Sequence, residues 1–322
     1  MEEIRFSVII PFYNCGDKIE NNVCHLIQQD YHNFEIIFVN DCSTDNSLVY
    51  LENLLLNHPS LNCKIYTTET NSGPGVARNI GIKHAKGEYV IFIDADDWIE
   101  KDALMKLDKY LLGKEYDLIC FDYYKVFNNK KQINKSYFFP YGELSPSKLL
   151  SICNNGVTRK LIKKELFQNN KIEFPKWRNG EDIYVEIKLI SSSKRILYVN
   201  ETIYNYFQNI NSLSNSKVQD IYFYNKLFNL YCSNTDDNKY LQNRVALDLY
   251  YNTITLFLKN KVNCKEIKKY IQTTNERYPN VLVDMDKAFF SKKQYLVIYL
   301  AYHLHLKCLI ILETIRNMLF SI

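Results

Sequence analysis

The sequence is poor in the residues on which several common kinds of site depend. Its 322 residues include only six histidines, and none of these lies between His84 and His303. The nine cysteines form no Cys-x-x-Cys pair and their number is odd, which argues against a disulfide framework and against a zinc site. The 36 acidic residues nearly balance the 40 basic ones, so the strongly basic surface typical of nucleic-acid-binding proteins is missing. These shortages disfavour histidine catalysis, structural zinc and a nucleic-acid partner.

The start of the sequence lacks a basic leader followed by an apolar stretch. Met1 is followed by Glu2 and Glu3, and a strand-like run begins at Phe6. Together with the unpaired cysteines, this start predicts a cytoplasmic protein.

Glycine and proline are almost absent from the last third of the chain. All nine glycines lie at or before Gly180 and six of the seven prolines at or before Pro175, so we expect mostly helix beyond that point. Before it, segments with helical spacing alternate with apolar runs typical of buried strands. The strand-like runs are 6–11, 34–40, 63–68, 89–94 and 117–123. This alternation predicts an α/β fold with a mainly parallel sheet flanked by helices, and ligands at the carboxyl ends of the strands.

The change in composition predicts two domains, a catalytic domain at 1–214 and a helical C-terminal region at 215–322. Within the latter, the apolar run 295–302 is interrupted soon after its end by charged and histidine residues. A membrane span needs about 20 apolar residues, so none is predicted. From residue 286 onward the sequence contains five basic and two acidic residues, and this excess of positive charge permits contact with an anionic membrane. A core helix and a homo-oligomer contact are equally open.

Three carboxylates, Asp94, Asp96 and Asp97, lie at the end of the strand-like run 89–94 and directly after it. At the edge of a sheet they repel one another unless a cation neutralises them, and their hard oxygen atoms suit Mg²⁺ or Mn²⁺. For Asp97 alone the alternative is an N-cap of the next helix, with Glu100 completing a capping box. One helix start uses one cap, so capping does not account for all three.

Two further polar segments are predicted at the same edge. Asp41 follows the run 34–40 and is suited to accept hydrogen bonds from a base or a ribose, while Ser43 or Thr44 is suited to start the next helix. Segment 71–87 holds four of the nine glycines and leads into a helix, an arrangement that can bind phosphate. Its spacing matches neither the dinucleotide fingerprint nor the P-loop.

Taken in order, segments 7–14, 39–45, 71–79 and 94–98 resemble the family 2 glycosyltransferases with a GT-A fold. The resemblance is close over about residues 4–125 and looser to about residue 214. It implies an inverting enzyme that moves a sugar from a UDP-sugar to a saccharide or lipid-linked saccharide, with Mn²⁺ or Mg²⁺ as cofactor. The implied setting is bacterial surface-polysaccharide synthesis, in the cytoplasm or peripherally at the inner face of the membrane.

The resemblance also implies the site residues. The nucleotide-sugar pocket would comprise Pro11, Tyr13, Asn14, Asp41, Asn71, Gly73, Arg78, Asp94 and Ala95. Asp96 would bind the metal with Asp97 as a second candidate, and Asp182, next to Glu181, would be the catalytic base. As residues alone, Glu181 and Asp182 are equally typical of an acidic helix start.

Two segments depart from the family pattern. Asn40 stands where relatives commonly have Asp, so the base, usually uracil, is not fixed by the resemblance. Segment 204–214 resembles the one that closes over the diphosphate, but Phe207 and Gln208 stand where relatives often have Arg. Charge compensation is therefore assigned to the metal, or to Arg159 or Arg178.

Two rival functions stay open. A catalytically silent nucleotide-sugar-binding or scaffold protein would keep the fold and lose a carboxylate of the site, whereas all of these are present. A nucleotidyltransferase would carry a basic, glycine-rich loop after the first strand, whereas Phe12, Tyr13 and Asn14 stand there.

Overall fold

The computed structural model describes residues 4–127, 130–137, 140–153, 156–177, 180–208, 223–233, 241–306 and 308. The chain divides into two compact units. The first comprises residues 1–136, 141–146 and 153–212, and the second comprises 137–140, 147–152 and 213–322. The domain boundary predicted at residue 214 stays a prediction.

A single ten-stranded sheet forms the centre of the first unit, as far as the described residues show. The strands are β1 (Phe6–Phe12), β2 (Phe34–Asn40), β3 (Cys63–Thr67), β4 (Tyr89–Phe92), β5 (Trp98–Ile99), β6 (Leu118–Phe127), β7 (Lys130–Asn134), β8 (Gly142–Leu144), β9 (Lys160–Lys163) and β10 (Ile196–Phe207). Their order is β3-β2-β1-β4-β9-β6-β10-β5, with β7 on β6 and β8 on β10. The strands β1, β2, β3, β4, β6 and β10 run in one direction. The predicted α/β fold with a mainly parallel sheet is confirmed.

Helices cover both faces of this sheet. They are α1 (Ile19–Ile27), α2 (Ser47–Leu56), α3 (Pro74–His84), α4 (Ala103–Leu111), α6 (Glu165–Asn169) and α7 (Glu181–Ser192). The short helix α5 (Pro146–Leu150) precedes α6 in sequence and belongs mostly to the second unit. Successive residues of a strand point to opposite faces, and Phe6, Val8 and Ile10 of β1 accordingly share one core with the apolar sides of α1 and α4. On the other face, Ile9 contacts α3.

The carboxyl ends of β1 to β4 bring the predicted site loops to one edge. Pro11 fits within β1 because β4 pairs with β1 only as far as Ile9, so the side of Pro11 that lacks an N–H has no strand to bond. At the start of α3, Gly73 takes a φ of 88° and Pro74 follows as the first helical residue. A left-handed glycine followed by proline starts this helix at the sheet edge.

The chain after Asp97 differs from the capping alternative. Trp98 and Ile99 form β5, which pairs antiparallel with β10, and α4 begins only at Ala103. The side chain of Glu100 accepts from Asn205 at 2.7 Å instead of completing a capping box. The interpretation of Asp97 as a helix cap is therefore wrong.

The second unit is helical in its described part, which confirms the predicted helical C-terminal appendage. Its helices are α8 (Phe223–Ser233), α9 (Leu241–Arg244), α10 (Thr253–Lys259), α11 (Cys264–Arg277), α12 (Val281–Asp284) and α13 (Lys292–Tyr302), with a π-helical stretch at Val245–Asn252. Ser291 starts α13 with a complete capping box to Gln294. None of the described helices has the length and apolar character needed to cross a bilayer. Residues 234–240 and 309–322 lie outside the described residues.

Candidate active site

The loops after β1 and β2 are joined by the side chain of Asn14. Its carboxamide oxygen accepts from the backbone amides of Thr44 (2.8 Å) and Asp45 (3.3 Å), and its own backbone amide donates to Ser43 Oγ at 3.1 Å. Asn14 has a φ of 43°, a left-handed conformation that asparagine tolerates better than most residues. The neighbouring Tyr13 is 43% exposed, so its ring is free to meet a ligand at this edge.

Asp41 fastens the glycine-rich loop to the sheet edge. Its carboxylate accepts from Thr68 Oγ1 (3.0 Å), from the amide of Ser72 (3.0 Å) and from the amide of Gly73 (2.7 Å). The residue is only 4% exposed. These bonds fix the segment between β3 and α3, including the predicted ligand residues Gly73 and the exposed Asn71.

Arg78 of α3 is the hub that joins the two halves of the predicted site. Its guanidinium donates to Asp94 Oδ1 at 2.8 Å and to Glu181 Oε1 at 3.2 Å, with its side chain 6% exposed. Burial alone would lower the pKa of Arg78, but the carboxylates of Asp94, Glu181 and Asp182 raise it above its ordinary value. Its Nε has no acceptor among the described residues, which leaves one buried donor for a bound ligand.

Glu181 and Asp182 occupy the first turn of α7, after Gly180 with a φ of 79°. Glu181 is 5% exposed and faces Arg78. Asp182 is partly exposed, and its Oδ1 accepts from the amide of Ile183 at 2.8 Å. Burial raises the pKa of both carboxyls, and in Asp182 the positive charge of Arg78 opposes that shift. A carboxylate with a raised pKa is suited to accept a proton.

The loop after β4 gives its three carboxylates different surroundings. Asp97 is 1% exposed and accepts from Tyr204 Oη (2.6 Å) and from the amide of Phe207 (2.8 Å). The Asp97 carboxylate is thus bonded inside the protein, and its role as the second candidate metal ligand stays a prediction. Asp96 and Ala95 are partly exposed, and burial followed by the charge of Asp94 raises the pKa of Asp96.

The residues present fit a metal that is shared with a bound diphosphate. Across the described part of the chain, no three His, Cys, Asp or Glu side chains lie close enough to hold an ion by themselves. Magnesium typically takes one or two protein carboxylates and completes its shell with substrate phosphates and water. Asp96 is a partly buried carboxylate whose pKa is raised first by burial and then by the charge of Asp94, and a bound cation would offset both effects.

Of the two arginines that were expected to compensate the charge of the diphosphate, only Arg159 lies among the described residues. Arg159 stacks over the ring of Tyr123 at 4.3 Å. Arg178 lies outside the described residues, as do positions 209–214 of the segment that was expected to close over the diphosphate. Phe207 is committed to Asp97 through its backbone.

Sequence reasoning missed two residues that shape this site. Tyr204 of β10 donates to Asp97 and accepts from the backbone amide of Asp94 at 3.2 Å. These two bonds fix both ends of the segment 94–97, which carries the three carboxylates. Gly156 lies against Asp182, because a Cβ there would come 2.2 Å from Asp182 Oδ2. The sequence signal for Gly156 was a lone glycine, and for Tyr204 it was one of 26 tyrosines.

The sequence profile described as Glycosyl transferase family 2 matches residues 7–178, which is more than half of the chain. The chain belongs to glycosyl transferase family 2. The predicted family, the GT-A fold and a glycosyltransferase function are thereby confirmed.

Two curated relatives support the family assignment. GlyG of Streptococcus pneumoniae, a glycosyltransferase, is 29% identical over 216 residues, covering 62% of this chain and 69% of GlyG. TarS of Staphylococcus aureus, a poly(ribitol-phosphate) beta-N-acetylglucosaminyltransferase, is 31% identical over 212 residues, covering 63% of this chain and 35% of TarS. The chain thus matches about a third of the length of TarS.

Solved structures share the fold. S. aureus TarS in complex with UDP-GlcNAc gives a TM-score of 0.67 at 25% identity, covering 93% of this chain and 88% of the TarS chain. The mannosyltransferase PcManGT from Pyrobaculum calidifontis, in complex with GDP-Man and Mn²⁺, gives 0.56 at 17% identity, covering 100% and 88%. The second likeness shows the fold alone.

Proposed function

We propose that this glycosyltransferase moves a sugar from a UDP-sugar to an acceptor hydroxyl with inversion, in bacterial surface-polysaccharide assembly, with Mn²⁺ or Mg²⁺ as cofactor. The observation that carries the proposal is the bridge made by Arg78, which joins Asp94 of the donor side to Glu181 beside the candidate base. The complex of TarS with UDP-GlcNAc supports a UDP-sugar as donor.

The donor pocket in this proposal follows the loops at the carboxyl edge of the sheet. Tyr13 offers its exposed ring to the uracil, and the Asn14 bonds hold the loop that carries that ring. Asp41 meets the base with the acceptor capacity that its three bonds leave unused. Asp94 binds the ribose in this proposal, and Arg78 lies near the diphosphate. The Nε of Arg78, which has no acceptor among the described residues, supplies one hydrogen-bond donor.

The transfer step assigns the proton to Asp182. The acceptor oxygen attacks the anomeric carbon while its proton passes to the Asp182 carboxylate. The bond from that carbon to the diphosphate oxygen breaks on the opposite side, and UDP leaves with the electron pair. Asp96 would hold the divalent ion, which when bound offsets negative charge on the departing phosphate oxygens.

The proposed acceptor side includes an aromatic ring near the candidate base. The ring of Trp177 is 45% exposed and packs edge-on against Tyr184 of α7 at 5.1 Å, two residues beyond Asp182. An exposed, fixed aromatic ring offers apolar area to a saccharide. We keep a lipid-linked acceptor, a cytoplasmic location, and membrane or homo-oligomer contact through the C-terminal helices as parts of this proposal.

The deciding experiment is UDP release by the purified chain from a panel of UDP-sugars, with Mn²⁺ or with EDTA. We expect slow, metal-dependent hydrolysis of one donor, which would name the sugar. Asp96→Ala should abolish the metal dependence. Asp182→Asn should lower the rate by about 10²- to 10⁴-fold, because an amide cannot take the proton.

Asp102→Ala is the matched control, because Asp102 stands just before α4 and, among the described residues, its one ion pair is with Lys106 of that helix. It should leave the rate unchanged. A folded protein that neither releases UDP nor binds it would refute the transferase proposal and revive the silent scaffold function, which the intact set of carboxylates does not favour.

A further inference from the structure

A buried ion pair lies directly behind the candidate base. Lys160 is the first residue of β9, and Glu186 lies on α7 one turn after Asp182. Residues four apart share one face of a helix, so Glu186 and Asp182 point to the same side. Lys160 Nζ and Glu186 Oε1 are 2.6 Å apart, and both side chains are 0% exposed.

The ion pair clamps the backbone of Gly156. The amide of Gly156 donates to Glu186 Oε2 at 3.1 Å, and Lys160 Nζ donates to the Gly156 carbonyl at 2.7 Å. One residue thus has both its backbone groups held by the two charged side chains. Gly156 has a φ of 65°, which L side chains rarely adopt.

Gly156 in turn forms a wall against the carboxylate of Asp182. A Cβ built on Gly156 would lie 2.2 Å from Asp182 Oδ2 and 3.0 Å from its Cγ. From the other side, the amide of Ile183 donates to Oδ1 at 2.8 Å. The carboxylate is therefore bounded by a backbone amide on one side and by the clamped glycine on the other.

Stability alone does not account for such a pair. Removing two charges from water is costly, and replacing a buried ion pair with apolar residues of similar volume is often neutral or stabilising. The pair instead fixes geometry, because each of its members bonds to the same glycine. Lys160 also offsets part of the negative charge that Glu186 places one helical turn from Asp182.

We infer that Lys160, Glu186 and Gly156 are positioning residues for the Asp182 carboxylate, an inference that rests on the proposed role of Asp182 as base. The clamp acts through Gly156 and does not touch the substrate. Loosening it should lower kcat and leave donor binding intact. Misplacing a reacting group by about 1 Å can cost on the order of 10²-fold in rate.

The first test is UDP release from UDP-GlcNAc and UDP-glucose by the full chain carrying Gly156→Ala, and separately Lys160→Met with Glu186→Leu. We expect kcat to fall on the order of 10²-fold while KM for the donor is unchanged. The matched control is Arg244→Met with Asp248→Leu, which removes a fully buried ion pair of the second unit. This control should leave kcat unchanged.

The second test is independent of activity. Gly156→Ala is placed in the wild type and in Asp182→Ala, and the thermal midpoint of each protein is measured. The backbone strain at Gly156 is the same in both backgrounds, so it cancels. Asp182→Ala removes Oδ2 and Cγ and leaves only Cβ, 3.4 Å from the new methyl. The drop in midpoint should therefore be smaller in the Asp182→Ala background.

The outcomes separate the two proposals. An equal drop in both backgrounds, or an unchanged kcat in a folded Lys160→Met, Glu186→Leu protein, overturns the inference. A wild type that releases no UDP from any donor counts against the proposed function, while the midpoint comparison still tests the contact on which the inference rests.

Discussion

At the scale of single residues, Arg78 links two parts of the candidate site through its ion pairs. It is buried between Asp94 and Glu181, two carboxylates from different elements. Breaking a buried ion pair by removing one partner leaves an uncompensated charge. Its role is therefore structural as well as electrostatic.

We predict that Arg78→Met lowers the free energy of unfolding by about 3–5 kcal/mol. Urea unfolding monitored by tryptophan fluorescence measures this change. Arg195→Met is the control, because Arg195 and its partner Glu143 are 47% and 63% exposed. An exposed pair contributes about 0–1 kcal/mol. Equal effects of the two substitutions would contradict the hub role.

The pH dependence of UDP release should report Asp182. Burial raises its pKa, Arg78 lowers it, and the charges of Glu186 and Asp94 raise it further, with a net shift upward. A base acts when deprotonated, so the rate should be full at neutral pH and fall on acidification. The fall should begin at higher pH than for an ordinary aspartate. A pH–rate profile of wild type beside Asp182→Asn tests this, and a wild-type rate that stays constant down to pH about 4 would contradict it.

At the scale of secondary structure, α3 lies so close to β1 that one position admits only glycine. A Cβ on Gly81 would lie 2.3 Å from Cγ2 of Ile9. This close packing holds the helix that carries Arg78 against the strand that carries Pro11. Both sides of the proposed donor pocket thus depend on the contact between Gly81 and Ile9.

We predict that Gly81→Ala destabilises the protein by about 1–3 kcal/mol through overpacking. The same substitution should be less harmful in an Ile9→Ala background, where the clashing atom is gone. Urea unfolding of the four proteins in this cycle gives the coupling. Additive effects would show that α3 moves away from β1 without strain.

Secondary-structure elements with a clear apolar pattern of their own could be predicted from the sequence. Elements whose burial depends on residues far away in the sequence could not. The apolar run of β2 matched its predicted bounds, 34–40. Strand β9 was missed because it begins with Lys160, a residue type that is rarely buried, and the ion pair with Glu186, 26 positions later, is not evident from the local sequence. The same holds within the site. From its neighbours in sequence, Asp97 is suited to be a helix cap or a metal ligand. In the structure its carboxylate accepts from Tyr204, and this partner 107 positions away is not evident from the local sequence.

At the scale of the whole molecule, binding of donor and metal should be visible as added stability. A ligand at about 100 times its Kd stabilises the folded state by about 2.7 kcal/mol. We expect UDP with Mn²⁺ to raise the thermal midpoint more than UDP alone, and Asp96→Ala to remove that difference. Differential scanning calorimetry measures it, with Asp102→Ala as the unaffected control. A midpoint indifferent to Mn²⁺ in the presence of UDP would argue against a shared metal.

The course of the chain between its two units limits how the protein can be rearranged. Residues 147–152, which include most of α5, belong to the C-terminal unit although they precede the candidate base in sequence. Arg244 donates to the carbonyl of Leu150, and Lys148 lies over the ring of Phe289. If the chain after about residue 214 were replaced with that of a relative, the new C-terminal region would have to pack against α5 of the original protein. We therefore expect a new C-terminal region to require compatible changes in α5, inside the catalytic sequence.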